Sequence, residues 1–124
     1  MNKYLYIFGY ETPAQRENNA AYEWDDEDSA ALFIMAETAQ QALKWGRTVS
    51  KRYVSVLFNG FNSHAESWDE NRFASWVDHD YTANFSSDQL KAVPTVKYGE
   101  YPDIAGMLRS KYGSTAATVA GARI

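Results

Sequence analysis

The apolar and polar positions are most clearly ordered in residues 30–58, where a short apolar run precedes a long helical pattern. Residues 32–35 read LFIM, as in a strand that is buried on both faces. Thr38 and Gln41 stand three positions apart, which is the spacing of a capping box. In that motif Thr38 accepts from the third helical amide, while Gln41 reaches back to the amide of Thr38. The pattern therefore predicts a strand over 30–37 and a helix that begins at 38.

Apolar residues then recur every three or four positions, which predicts one amphipathic helix over about 38–58. Asn59 and Gly60 tolerate the left-handed conformation that ends a helix. The opposite face carries a basic stripe, defined as Lys44, Arg47 and Lys51, with Arg52 beside it. The predicted core positions are Ala42, Leu43, Gly46, Val49, Tyr53, Val56 and Leu57.

Shorter apolar patterns predict the rest of the fold. Residues 4–10 (YLYIFGY) are apolar at every position except for Gly9, which favours a central strand with a bulge or a close backbone approach near its end. Residues 73–77 and 93–98 are further strand candidates. Pro94 in the second of them is compatible with a strand at the edge of the sheet or with the first position of a strand. A short helical turn is expected at 87–90, and a second helix is expected over 102–112. Gly113 ends that second helix.

These elements predict an α+β fold. We expect a small two-layer sandwich, with a sheet of about four strands, the long helix packed across it and a second, shorter C-terminal helix. The strand over 30–37 followed directly by the long helix suggests a β-α-β unit, whose crossover should be right-handed if the next strand is parallel.

Length and composition indicate one domain over 1–113, with a frayed tail over 114–124 that is small and polar and offers no anchor for a core. The chain has no cysteine, so disulfides, thiolate metal sites and a cysteine nucleophile are excluded. The first residues lack the pattern of a signal sequence, and no apolar run is long enough to span a membrane. A cytoplasmic location is the resulting expectation.

Charge is concentrated in the acidic connection, defined as residues 11–28. It holds seven acids against one base, so its net charge is −6, and the whole chain at −4 leaves about +2 elsewhere. Long connections in compact domains are uncommon and often functional, although a short helix over 14–21 is also compatible with this one. Within it, the candidate partner-binding residues are Tyr22, Glu23, Trp24, Asp25, Asp26, Glu27 and Asp28; we call them the acidic segment.

Three interpretations of the acidic segment compete. Concentrated negative charge speeds encounter with a basic partner, and an adjacent Trp or Tyr can serve as an interface anchor. Alternatively, the connection is merely solvated, or it folds onto the basic stripe of the same molecule. A calcium or magnesium site is disfavoured, because the EF-hand ligand pattern is absent and consecutive carboxylates on an extended chain point in different directions. No metal or cofactor is expected.

Motifs for catalysis are sparse. His64 and His79 have no metal-binding spacing, and no G-x-S-x-G context accompanies a serine. Asp78 and Asp80 could orient His79 for acid–base work, although an exposed turn is the alternative interpretation. The scattered glycines make no phosphate-binding motif, and the basic stripe is too short to favour nucleic-acid binding in a chain with pI near 5.1.

The sequence therefore leaves three hypotheses. The first is a non-enzymatic protein-binding domain, in concrete form an acidic inhibitor that neutralises a basic partner such as a toxin nuclease. Its size, charge and lack of catalytic motifs resemble those of bacterial immunity proteins as a class, although no motif marks a particular family. The second is a small enzyme or ligand-binding domain with Trp76, Asp78, His79 and Asp80 lining a pocket. The third is a self-associating structural protein, a homodimer for instance, as nineteen aromatic residues would allow.

Overall fold

The computed structural model of the chain describes residues 1–59 and 68–112. Several predicted features lie outside these residues. They are the two helix termini at Gly60 and Gly113, His64, and the tail over 114–124. The four strands are β1 (Asn2–Tyr10), β2 (Asp28–Ala36), β3 (Ser75–Asp78) and β4 (Thr95–Lys97). The helices are α1 (Pro13–Tyr22), α2 (Ala39–Asn59), α3 (Tyr81–Asn84), α4 (Ser87–Lys91) and α5 (Ile104–Tyr112). The α+β prediction is confirmed: a four-stranded mixed sheet carries the long helix α2, and α5 is the short C-terminal helix.

The sheet has the order β3-β1-β2-β4. Strand β1 is central, as its apolar run predicts, and it pairs antiparallel with both neighbours. Its pairing with β2 runs without a bulge from Asn2 opposite Ala36 to Tyr10 opposite Asp28. Gly9 instead allows the side chain of Glu27 to approach the backbone of β1 closely. A Cβ at this position would lie 2.8 Å from the carboxylate of Glu27.

The β-α-β unit joins strands that are not neighbours. Strand β3, which follows α2, pairs with β1, so β1 separates it from β2 in the sheet. The parallel neighbour of β2 is β4, through the register that places Ile34 opposite Val96. Pro94 immediately precedes β4 at the sheet edge, where its missing amide costs no ladder hydrogen bond, as the sequence predicts.

Helix α2 packs its apolar face on one face of the sheet. Most predicted core positions are buried, with Leu43 and Val56 partly exposed, and Ser50, Val54 and Phe58 are buried as well. Thr38 caps the helix by accepting from the amide of Gln41 at 3.1 Å. The return bond differs from the prediction: the side chain of Gln41 accepts from the amide of Glu37 at 3.1 Å, one residue earlier than Thr38.

The other face of the sheet has its own small core. Leu5, Ile7 and Phe33 are buried there beneath partly buried residues that follow β3, among them Tyr81, Phe85 and Leu90. The single-turn helix α3, which the sequence analysis does not predict, lies between β3 and α4. Its sequence was too short for a helical period to be visible.

The described helices include none that is both long enough and apolar enough to cross a membrane. The longest of them, α2, is 21 residues long, but charged residues occupy its outer face.

Candidate functional site

The acidic connection is largely structured, because its first half forms α1. Thr12 caps this helix by accepting from the amide of Gln15, and Gln15 in turn accepts from the amide of Thr12. Pro13 follows at a position where its missing amide costs nothing. The helix ends at Glu23, whose φ of 57° is left-handed. That residue turns the chain away from the helix axis and begins the exposed part of the acidic segment.

Two aromatic side chains of the acidic segment stand in solvent. Tyr22 is 62% exposed and Trp24 is 52% exposed. Their rings stack on each other with centroids 4.8 Å apart and planes 29° from parallel. Glu23, Asp25 and Asp26 are also exposed around this pair. The segment therefore presents a flat apolar surface surrounded by carboxylates.

Asn19 fastens the acidic segment to the body of the protein. Its amide group donates to the carbonyl of Asp26 at 2.9 Å and accepts from the amide of Asp26 at 3.0 Å. The same group donates to Oε2 of Glu11 at 2.6 Å. Glu11 is only 8% exposed, and its other oxygen accepts from the guanidinium of Arg72 at 2.9 Å. The segment is thus bonded through Asn19 to Glu11, which directly follows β1, and through Glu11 to Arg72.

Replacing Asn19 with alanine is expected to destabilise the protein by about 1 kcal/mol, because three hydrogen bonds are lost while Glu11 keeps Arg72. Urea denaturation measures this loss, and faster hydrogen exchange at the amide of Asp26 should accompany it. Asn18→Ala is the matched control, since Asn18 is the exposed neighbour on the same helix. Equal effects of the two variants would contradict the fastening role.

The last two acids of the segment differ from the others. The side chain of Glu27 is exposed, yet partial desolvation raises its pKa, as do the nearby charges of Asp25 and Glu11, while Arg72 acts in the opposite direction. Asp28 is half-buried in β2. Its carboxylate accepts from Gln15 at 2.9 Å and from the hydroxyl of Tyr112 at 2.5 Å. Asp28 therefore contributes to the interior more than to the exposed surface.

The interior holds a chain of tyrosine hydroxyls that the sequence analysis missed. Tyr10 shares hydrogen bonds with Tyr53 at 2.9 Å and with Tyr112 at 2.8 Å, and Tyr112 continues the chain to Asp28. Burial raises the pKa of each of these tyrosines well above its ordinary value. They remain protonated at neutral pH, so the chain connects β1, α2, α5 and β2 structurally and supplies no general base.

The residues of the rival site around His79 lie at a turn in the described part of the chain. One oxygen of Asp78 accepts from the amide of Asp80 at 2.8 Å, and the other accepts from Asn84 at 3.0 Å. These bonds hold the turn that leads into α3, while His79 and Trp76 are exposed. Two cavities, of about 740 and 270 Å³, lie along α2 and beside α5, and none of these residues lines either one.

The acidic connection does not fold onto the basic stripe in the part of the chain that the structure describes. Arg47 pairs with Glu70 at 3.0 Å, and Glu70 lies outside the acidic connection. An ion pair that does involve the connection joins Glu11 to Arg72. Within residues 1–59 and 68–112, no three acidic or histidine side chains converge into a group that could hold a metal ion.

Comparison of the chain with protein-family models, with curated protein sequences and with solved structures gives no match.

Proposed function

We propose that the chain is a non-enzymatic protein-binding domain that engages a basic protein through the acidic segment. The observation that carries the proposal is the exposed, stacked pair of Tyr22 and Trp24, surrounded by carboxylates on a fastened piece of chain. Exposed large aromatics in a charged setting are the composition of an interface centre with a polar rim.

The fastening supports this role energetically. A segment that is already ordered loses less conformational entropy on binding than a disordered loop does, so more of the contact energy appears as affinity. The rings of Tyr22 and Trp24 would supply contact area, and Glu23, Asp25 and Asp26 would attract the partner and orient it. Arginine and lysine side chains of the partner suit both the rings and the carboxylates of the acidic segment, because they pack on aromatic faces and pair with carboxylates.

In its concrete form, the domain is an acidic inhibitor of the immunity type that neutralises a basic partner such as a toxin nuclease. A nuclease cleft is basic because it binds phosphates, and a carboxylate-rich surface complements the same cleft. Binding would block the cleft without any chemical step. The local concentration of negative charge in a chain of net charge −4 supports this form of the proposal.

The test is partner capture from host lysate with the tagged wild type and two variants of the acidic segment. The first variant combines Glu23→Gln, Asp25→Asn and Asp26→Asn; the second is Trp24→Ala. We expect the wild type to retain a basic protein, and each variant to bind the purified partner about ten-fold more weakly. Calorimetry at low salt and at about 0.5 M salt should show that affinity falls as charges are screened.

The matched control removes three exposed acids elsewhere, through Glu37→Gln, Asp80→Asn and Asp88→Asn, and should bind as the wild type does. Asp28 stays unchanged in every variant because Gln15 and Tyr112 bond to it. Retention of the same partner by the wild type and by both segment variants, with equal affinity, would place the binding surface elsewhere. If the captured protein is a nuclease, its activity should fall as the domain is added.

A further inference from the structure

A groove of about 740 Å³ runs along the outer face of α2. It follows the basic stripe, whose members are three and four residues apart and so project on the same side of the helix. Its remaining lining residues are Thr38, Gln40, Gln41, Leu43, Thr48 and Glu70.

The groove keeps positive charge that the described residues do not neutralise. Glu70 pairs with Arg47 at 3.0 Å, and Arg47 also donates to the hydroxyl of Ser75. Lys44 and Lys51 are exposed, and over 1–59 and 68–112 neither of them has an ion-pair partner. One acid against three bases leaves the groove near +2, which favours a negatively charged occupant.

In residues 1–59 and 68–112 the acidic segment of the same molecule does not fill the groove, because none of its carboxylates pairs with Lys44, Arg47 or Lys51. The acidic segment ends at Asp28, which pairs with Tyr10 at one end of the β1–β2 ladder. Helix α2 begins just after Ala36, at the other end of that ladder. Nine paired residues make eight steps of about 3.3 Å, so Asp28 and Ala36 lie about 26 Å apart. The acidic segment therefore joins the sheet at one end, while the groove begins at Thr38 near the other end and follows α2 as far as Lys51.

We propose that the groove receives the acidic segment of a second copy of this chain. Carboxylates of Glu23, Asp25 and Asp26 pair with Lys44 and Lys51, and the stacked rings of the segment lie over the lysine stems and Leu43. Because the two surfaces differ, the contact is heterologous, so each copy offers a further free surface to the next one.

This inference rests on the proposed binding role of the acidic segment and adds a form of regulation to it. A segment seated in a neighbour's groove is not available to a basic partner. The partner must therefore displace the second copy, and self-association lowers the apparent affinity for the partner as the protein concentration rises.

Sedimentation equilibrium of the full chain tests the contact. At low ionic strength we expect the wild type to exceed the monomer mass, and at about 0.5 M salt to return to it. Two variants each remove one half of the contact: Glu23→Gln with Asp25→Asn and Asp26→Asn, and Lys44→Gln with Lys51→Gln. Each variant alone is expected to be monomeric, and an equimolar mixture should form dimers and nothing larger. Lys91→Gln with Lys97→Gln is the control, which should associate as the wild type does.

Three results would overturn the proposal, with thermal melting used to show that every variant is folded. The first is a wild type that stays monomeric at low salt and millimolar concentration. The second is self-association of either variant alone, which would indicate a different interface. The third is an equimolar mixture that stays monomeric. If the wild type is monomeric while a lysate protein still binds through the acidic segment, the proposed function stands and only the second copy is excluded as occupant of the groove.

Discussion

Raising the pH above about 10 is expected to unfold the protein steeply, because three buried tyrosines must keep their protons in the folded state. Tyr6, Tyr10 and Tyr53 are almost completely inaccessible to solvent. Burial is the main cause that raises their pKa above the ordinary value of 10. Their hydroxyls bond to neutral hydroxyl groups, Tyr6 to Ser50 at 2.6 Å and Tyr10 to Tyr53 at 2.9 Å, which offset the lost hydration of a phenolate only weakly.

The sign follows from linkage, since the folded-state pKa lies above the unfolded one. Below about pH 10 both states hold the phenol protons, and the full stability is present. As the pH rises past the unfolded pKa, only the unfolded state releases them, so stability falls. Each retained proton costs about 1.4 kcal/mol per pH unit, hence about 4 kcal/mol per unit for three. A typical free energy of unfolding of about 5–15 kcal/mol would be lost within about one to four units.

Urea denaturation at about pH 9, 10 and 11, followed by tryptophan fluorescence, measures this slope, and tyrosinate absorbance should rise together with unfolding. Tyr53→Phe is expected to reduce the slope by about 1.4 kcal/mol per pH unit, which separates the tyrosine contribution from that of other groups. Tyr22→Phe, at an exposed position, should leave the slope unchanged. Tyrosinate that forms in full while the protein stays folded would contradict the prediction.

The strands and the long helix show how far the sequence predicts this fold. The unbroken apolar character of residues 4–10 is enough to place β1 centrally, and the Thr38–Gln41 spacing is enough to start α2. The pairing of strands is not local information. Nothing near β3 indicates that it pairs with β1, because that choice depends on how α2 crosses the sheet.

The candidate site shows a similar division. Local charge and the neighbouring aromatic residues single out the acidic segment, and the structure places most of it in solvent. The different character of Asp28 could not be predicted, because its partner Tyr112 is 84 positions away. The role of Asn19 was equally hidden, since an asparagine in a polar stretch gives no sign of where its amide group will bond. A tyrosine that recurs on a buried helix face, such as Tyr53, is the one signal that could have suggested a hydroxyl partner in the core.

Gly46→Ala is expected to destabilise the protein by about 2 kcal/mol, although alanine favours a helix more than glycine does. A Cβ at this position would lie 2.5 Å from two ring atoms of Tyr6 and 2.6 Å from a third. The ring cannot retreat, because it is completely buried. Its hydroxyl is also tied to Ser50, which in turn donates to the carbonyl of Gly46. Overpacking of about 3 kcal/mol therefore exceeds a helix-propensity gain of about 1 kcal/mol.

Urea denaturation of a double-mutant cycle tests this cause directly. In a Tyr6→Leu background the obstructing ring is absent, so adding Gly46→Ala should be nearly neutral or stabilising, and the coupling energy should be about 2–3 kcal/mol. Gly106→Ala is the control: the Cβ there meets only the exposed side chain of Asp103, which accepts from the amide of Gly106 at 3.0 Å. Any cost of this substitution comes from that cap and should be the same in both backgrounds. An equal cost of Gly46→Ala in both backgrounds would show that the contact with Tyr6 is not the reason for glycine. If the coupling is found, the close approach of α2 to β1 sets the position of the whole helix, including the side chains of the basic stripe that line the groove.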